Sequence, residues 1–234
     1  MWLINSSVGR KVVMSVTGLA LILFLTFHMA MNLVAVISAD AYNVVCAFLG
    51  ANWYALVATV ALAGLVALHF LFALWLTFQN RRARGSERYA VSARPKTVEW
   101  ASQNMFVLGL IVVLGLLLHL FNFWFNMQFA EIIGLHGVSI GGKELSPTDG
   151  AGFIAYTFSK PAYVVLYLIW LGALWFHLTH GLWSSLQTMG LSNKVWFGRW
   201  KVISCVYSTI VVGGFALVIV VFFLKSLCGA CCCS

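Results

Sequence analysis

Long apolar runs alternate with short polar segments along this chain. Hydrophobic residues fill five stretches, 12–37, 54–79, 104–126, 161–186 and 202–224. A hydrocarbon core is about 30 Å thick, so a spanning helix needs about 20 mostly apolar residues. Each stretch is long enough. Lipid offers no partner for an unpaired backbone group, so each is expected to be a helix. The pattern predicts an all-α integral membrane bundle of five transmembrane helices, one domain over residues 1–234. Pro161 falls at the start of the fourth stretch, where it is harmless. The opening MWLINSSVGRKVV places a basic pair before an apolar run that is too long for a signal-peptide core and long enough to span.

Composition agrees with a bilayer rather than with water. Of the 234 residues, 62% are hydrophobic and 9% charged, where soluble domains carry about a quarter charged. A soluble fold of this length lacks the polar cover for so much apolar surface. The net charge of +8 would suit nucleic acid only if it formed a clustered surface footprint with aromatic readers. Here the basic residues sit between apolar runs, so nucleic acid is excluded as a partner and the charge sets topology. Arg10, Lys11, Arg81, Arg82, Arg84, Arg88, Arg94, Lys96, Lys194, Arg199 and Lys201 fall on one side, against Lys143, Lys160 and Lys225 on the other. The expected orientation has a cytoplasmic N-terminus and an outside C-terminus. QNRRARGSERYAVSARPKTVEW becomes a cytoplasmic loop, sufficient to set topology and available for anionic lipid or a docking subunit. GLHGVSIGGKELSPTDG becomes a Gly-rich outer segment. Cys46 and Cys205 read as inert packing residues, and Cys228, Cys231, Cys232 and Cys233 as a tail without a disulfide framework.

Ionisable residues at membrane depth are costly and mark function by default. The apolar stretches contain His28, His69, His119, His177 and His180, and no Asp or Glu lies deep in a span. That argues against a proton pump or cation channel. Helical rise gives their depths. His28, 17 residues past Lys11, lies roughly 25 Å in. His69, 12 residues before Arg81, lies roughly 18 Å from the cytoplasmic charge. His177, 10 residues before Gln187, lies roughly 15 Å from that side. His119, 23 residues past Lys96, falls in the outer half. Two tiers result, His28 with His119 toward the outside and His69 with His177 toward the cytoplasm. Two imidazoles from separate helices are what bis-histidine haem ligation requires, and bundles build cofactor sites from such facing side chains. Interhelical hydrogen bonding by each histidine is the ordinary alternative. Copper or zinc would call for a thiolate, a carboxylate or a third histidine nearby. Gly18, Gly64, Gly115 and Gly172 stand near the histidines in sequence, where small residues admit a flat macrocycle or a neighbouring helix.

Two segments carry a family resemblance. GRKVVMSVTGLALILFLTFHMAMN, with Asn32 after His28, and HLTHGLWSSLQTMG, which contains His177, resemble the single-subunit, di-haem cytochrome b anchor of succinate:quinone oxidoreductases. These are the succinate dehydrogenase and fumarate reductase complexes. The resemblance covers nearly the whole chain. It implies two haem b groups, with iron held by the pairs His69/His177 and His28/His119, and leaves His180 without a ligand role, near the pocket as a hydrogen-bond partner. It implies a flavoprotein subunit and an iron–sulfur subunit on the cytoplasmic face, where succinate–fumarate chemistry would occur. This chain would then be a non-catalytic electron-transfer subunit in the cell inner membrane. Its substrate would be a quinone, with menaquinone the expectation, near the outer haem. Asp40 and Asn52 are the candidates for that site. Some family members place a membrane glutamate two residues before the fourth ligand; here Trp175 stands there, so that proton route is absent or built differently. Arg10 and Lys11 either reach the haem or snorkel to headgroups. The competing functions are the di-haem anchor of another quinone-linked oxidoreductase and a histidine-lined metal or solute transporter. A transporter would more often show inverted repeats and broken helices, and the chain has no internal repeat.

Overall fold

The computed structural model describes residues 6–84 and 99–231, the last three as backbone only. Arg88, Arg94, Lys96, Cys232 and Cys233 lie outside the described residues. The elements run α1 Ser7–Ile37, α2 Ala39–Phe48, α3 Trp53–Arg84, α4 Trp100–Gln103 and α5 Met105–Ile132, then β1 Val138–Ile140 and β2 Lys143–Leu145. They end with α6 Gly150–Phe158, α7 Pro161–Thr188 and α8 Trp196–Cys231. Among the described residues, α1, α3, α5, α7 and α8 are long and apolar enough to cross a membrane. The five expected spans are therefore present, each longer than its hydrophobic stretch. We call "near" the side where α1 begins and α7 ends, and "far" the opposite side.

Local chemistry explains the ends. Ser6 caps α1 by accepting from Gly9 N at 2.9 Å. Ser38 is an extended residue (φ −151°) that ends α1 and caps α2, its hydroxyl accepting from Ala41 N at 3.2 Å. Pro161 opens α7 at its first turn, where its missing N–H has no intrahelical acceptor. The third span outruns its expected end because a π-helical segment, Leu120–Phe129, follows His119 directly and carries the helix on to Ile132.

The far-side segment between α5 and α7 is more ordered than its composition suggested. Gly141 and Gly142, both at positive φ (59° and 79°), form the two-residue turn of a hairpin pairing Ile140 with Lys143. Asp149 then caps α6, accepting from Gly152 N at 3.0 Å. Asn43 of α2 binds both Asp149 Oδ1 (2.8 Å) and Ala151 N (3.0 Å) and so docks α2 onto the start of α6. α6 is a plug rather than a loop, with Phe153, Ile154 and Phe158 buried. Cys46 packs against Gly150 in this junction, and burial pushes its thiol up to about 11. A scarce thiolate suits the packing role read from the sequence.

Four spans stand as corners of a square. α3 packs on α1, α1 on α7 and α7 on α5, whereas α3 and α5 share no extensive contact. α8 lies outside the square against α7 and α1. The fourth edge, α3 to α5, is bridged by side chains. At the far end Thr59 donates to Gln128 Oε1 at 2.9 Å, and at the near end the Arg81 guanidinium sits 5.1 Å over the Phe106 ring. The core runs along α7, whose buried face includes Tyr167, Leu171, Leu174 and Leu178.

Candidate cofactor site

Helices α1 and α5 occupy one diagonal of the square, and α3 and α7 the other. Each diagonal carries one histidine pair. His28 of α1 faces His119 of α5 with ring centres 5.7 Å apart and planes at 83°. His69 of α3 faces His177 of α7 with centres 6.3 Å apart and planes at 67°. The structure thus brings together both pairs expected from the sequence. Depth comes from two independent rulers. Gly18 of α1 lies beside His69, since a Cβ there would be 3.2 Å from His69 Cε1. Gly109 of α5 lies beside His177, since a Cβ there would be 3.7 Å from its Cε1. Each glycine precedes its own helix's histidine by ten residues, so both helices separate the tiers by about 15 Å along the axis.

The glycine readings divide. Gly18 serves the ring of the near pair rather than His28. Gly115 backs onto Trp170, where a Cβ would fall 2.0 Å from the indole Cδ1. Trp170 in turn lies 5.8 Å from His119. Gly64 and Gly172 are exposed, and a Cβ at either meets nothing within 4 Å. Neither glycine therefore backs onto a protein atom of the site, as Gly18 and Gly115 do. Gly109 and Thr17 were not singled out in the sequence. Their signal was the ten-residue spacing from the opposite tier and a hydroxyl at mid-span.

Surroundings differ between tiers. The far pair is walled by rings. His28 stacks on Phe24 (5.4 Å) and meets Phe215 of α8 (5.7 Å), and His119 meets Phe123 (5.2 Å) and Tyr167 (6.4 Å) as well as Trp170. Asn122, buried on the π segment, donates to the Tyr167 hydroxyl at 3.1 Å and holds that wall. Asn32 donates to the His28 carbonyl at 2.8 Å and accepts from Tyr42 at 3.2 Å. In the near pair, Thr17 Oγ1 lies 3.2 Å from His69 Nδ1, while His177 Nδ1 is buried without a hydrogen-bond partner.

Metal–imidazole bonds are about 2 Å long, so two rings on opposite sides of one metal have centres about 6 Å apart. Both pairs fit that spacing, and the unpartnered Nδ1 of His177 leaves a nitrogen uncommitted at the near pair. Among the described residues no third His, Cys, Asp or Glu joins either pair. The donor set is two imidazoles from diagonal helices, which suits a planar macrocycle carrying its own equatorial ligands.

His180 stands apart from the pairs. Its Nδ1 lies 3.4 Å from Glu99 Oε2, and its ring meets Trp183 at 4.9 Å. Glu99 also pairs with Lys201 at 2.7 Å. Burial raises the Glu99 pKa, but bonds and charges from Lys201 and His180 outweigh it and hold the carboxyl below its ordinary value. Trp175 donates to Thr209 at 2.9 Å. Asp40 is exposed, and Asn52 caps the end of α2 through Ala47 O and Phe48 O (3.1 and 2.9 Å). The far-side polar cluster lies elsewhere. Gln128 accepts from Thr59 and Trp124 and donates to Gly50 O, each at 2.9 Å, and Glu131 accepts from Ala51 N at 2.9 Å. Arg10 sits 5.5 Å over the Trp75 ring of α3. Comparison with protein-family models, curated proteins and solved structures gave no match.

Proposed function

We propose that this chain is the membrane-anchor cytochrome b subunit of a succinate dehydrogenase or fumarate reductase complex. It passes electrons between a membrane quinone and an iron–sulfur subunit. One observation carries the haem part: two imidazole pairs on crossed diagonals, about 15 Å apart along the axis, within spans whose depths hold no Asp or Glu. His69 with His177 and His28 with His119 are the residues that would hold two haem b groups. Held by two imidazoles, such a group would supply one-electron transfer rather than oxygen binding. The chain's own part is to face the rings across each diagonal, to wall the far pair with Phe24, Phe123, Tyr167, Trp170 and Phe215, and to set the tier spacing through α1 and α5.

The identity of the complex rests on HLTHGLWSSLQTMG and the first-span segment. In this reading the near side is cytoplasmic and receives the flavoprotein and iron–sulfur subunits, the quinone works near the far pair, and the protein resides in the cell inner membrane. The basic near-side residues supply the charge asymmetry for that orientation.

The test is a reduced-minus-oxidised spectrum with pyridine haemochrome quantitation, on wild type and on His28→Ala, His69→Ala, His119→Ala, His177→Ala and His180→Ala. We expect about two low-spin b haems per chain, loss of haem or of assembly in the first four variants, and both haems kept in His180→Ala. Folded wild-type protein without haem would overturn the reading. Haem retained without co-purifying succinate–quinone activity would assign the chain to another quinone-linked oxidoreductase.

A further inference from the structure

Thr17 of α1 is buried, and its Oγ1 lies 2.9 Å from Val13 O and 3.1 Å from Met14 O as well as 3.2 Å from His69 Nδ1. A hydroxyl has one hydrogen and two lone pairs, and a carbonyl can only accept. The shorter contacts direct that hydrogen to the α1 backbone, as Ser and Thr in helices commonly do. The oxygen is then left to accept, so His69 Nδ1 is the donor. A neutral imidazole with its hydrogen on Nδ1 has its free lone pair on Nε2. Next along α1, Gly18 presents bare backbone to the same ring, 3.2 Å from Cε1 at the place a Cβ would take. Thr17 and Gly18 together form a seat, with the Met14 backbone a further hydrogen-bond partner of His69: the hydroxyl and the carbonyl accept the proton, and the glycine leaves room for the ring.

We propose that Thr17 is a positioning residue for His69, holding it as the Nδ1–H tautomer with Nε2 as the metal-binding atom and strengthening that nitrogen as a donor. This rests on the haem reading above. Hydrogen bonds to the far nitrogen of a metal-binding imidazole orient the ring and raise its basicity. The seat is particular to His69. His177 Nδ1 has no partner, and both ring nitrogens of His28 lie 3.5 Å from the Asn32 amide, too long and too even to select a tautomer. A more basic ligand favours oxidised iron, so Thr17 lowers the potential of the near haem and leaves the far haem alone.

Redox potentiometry and electron paramagnetic resonance of the purified full chain with its co-purifying subunits test this. His69→Ala identifies the signals of the near haem. Thr17→Val exchanges the hydroxyl for a methyl, and Thr17→Ser keeps it. In Thr17→Val the near-haem potential should rise by up to a tenfold change in oxidised-over-reduced preference, about 59 mV for one electron. Its resonance should shift, the far haem should stay, and Thr17→Ser should keep both wild-type values. Loss of the near haem alone in Thr17→Val, with retention in Thr17→Ser, supports the same role. Should Thr17→Val not accumulate, Thr17→Ala removes the hydroxyl without added bulk and should give the same shift. Unmoved near-haem signals in both variants, or equal shifts of both haems, would overturn the proposal. Wild type with two b haems and no Thr17 effect fails this inference alone, whereas wild type without haem fails the reading beneath it.

Discussion

The far histidine pair is enclosed by aromatic rings from four helices, while the near pair leans on a threonine hydroxyl and two glycine backbones. The far enclosure is made of bulk. Its walls lock one another, with Asn122 holding Tyr167, Tyr167 against Phe158 (5.2 Å) and Trp170 donating to Val112 O at 3.0 Å. The near enclosure is made of close approach and one polar bond. Two similar ring pairs in one bundle are thereby given different surroundings, and hydrogen bonding and burial are among the levers by which a protein tunes bound haem.

The comparison breaks most readily at the far end. Phe158→Ala removes a buried ring that meets both Tyr167 and Phe123, two of the three rings that wall His119. We expect a loss of about 3–5 kcal/mol, seen as a lowered melting temperature in detergent, and, in the proposed di-haem protein, far-haem absorbance lost before near-haem absorbance. Simultaneous loss of both would show that the tiers are not separable. Gly115→Ala ranks next. Its new methyl would meet the Trp170 indole at 2.0 Å, so the ring must leave its place beside His119. Overpacking of this kind costs about 1–3 kcal/mol, and potentiometry should show the far haem moved and the near haem unmoved.

Gly18→Ala makes the parallel change in the near tier. The contact there is 3.2 Å, which the ring can relieve by a few tenths of an ångström, and alanine favours helix by about 1 kcal/mol over glycine. We expect a melting temperature close to wild type and a change confined to the near-haem resonance. The smallest effect belongs to Glu99→Gln at the near edge. The carboxyl's pKa is depressed in the fold, so its contribution is fully present above the ordinary value of 4.5 and fades as pH falls through the folded value. Glu99 is a third exposed, and solvent screening holds the loss to less than about 1 kcal/mol. Melting curves of wild type and Glu99→Gln should differ slightly at neutral pH and converge in acid. A difference that grows on acidification would contradict this assignment.

The sequence by itself determined the five spans and the two histidine tiers. Hydropathy over about 20 residues is a local property, and helical rise converts residue number into depth without reference to any neighbour. Tertiary structure alone decided which faces meet. It set the crossed diagonals, the Thr17–Gly18 seat for His69, the Gly115 recess for Trp170 and the exposed positions of Gly64 and Gly172. Each depends on the rotation of one helix against another, and spans that are apolar all round carry little periodic signal to fix that rotation. The outer segment was legible only as Gly-rich, and neither its hairpin at Gly141–Gly142 nor the plug formed by α6 was foreseen. Nine residues opening on Gly-Ala-Gly become a buried helix whose first turn is secured by Asp149 and by Asn43, the latter over a hundred positions earlier.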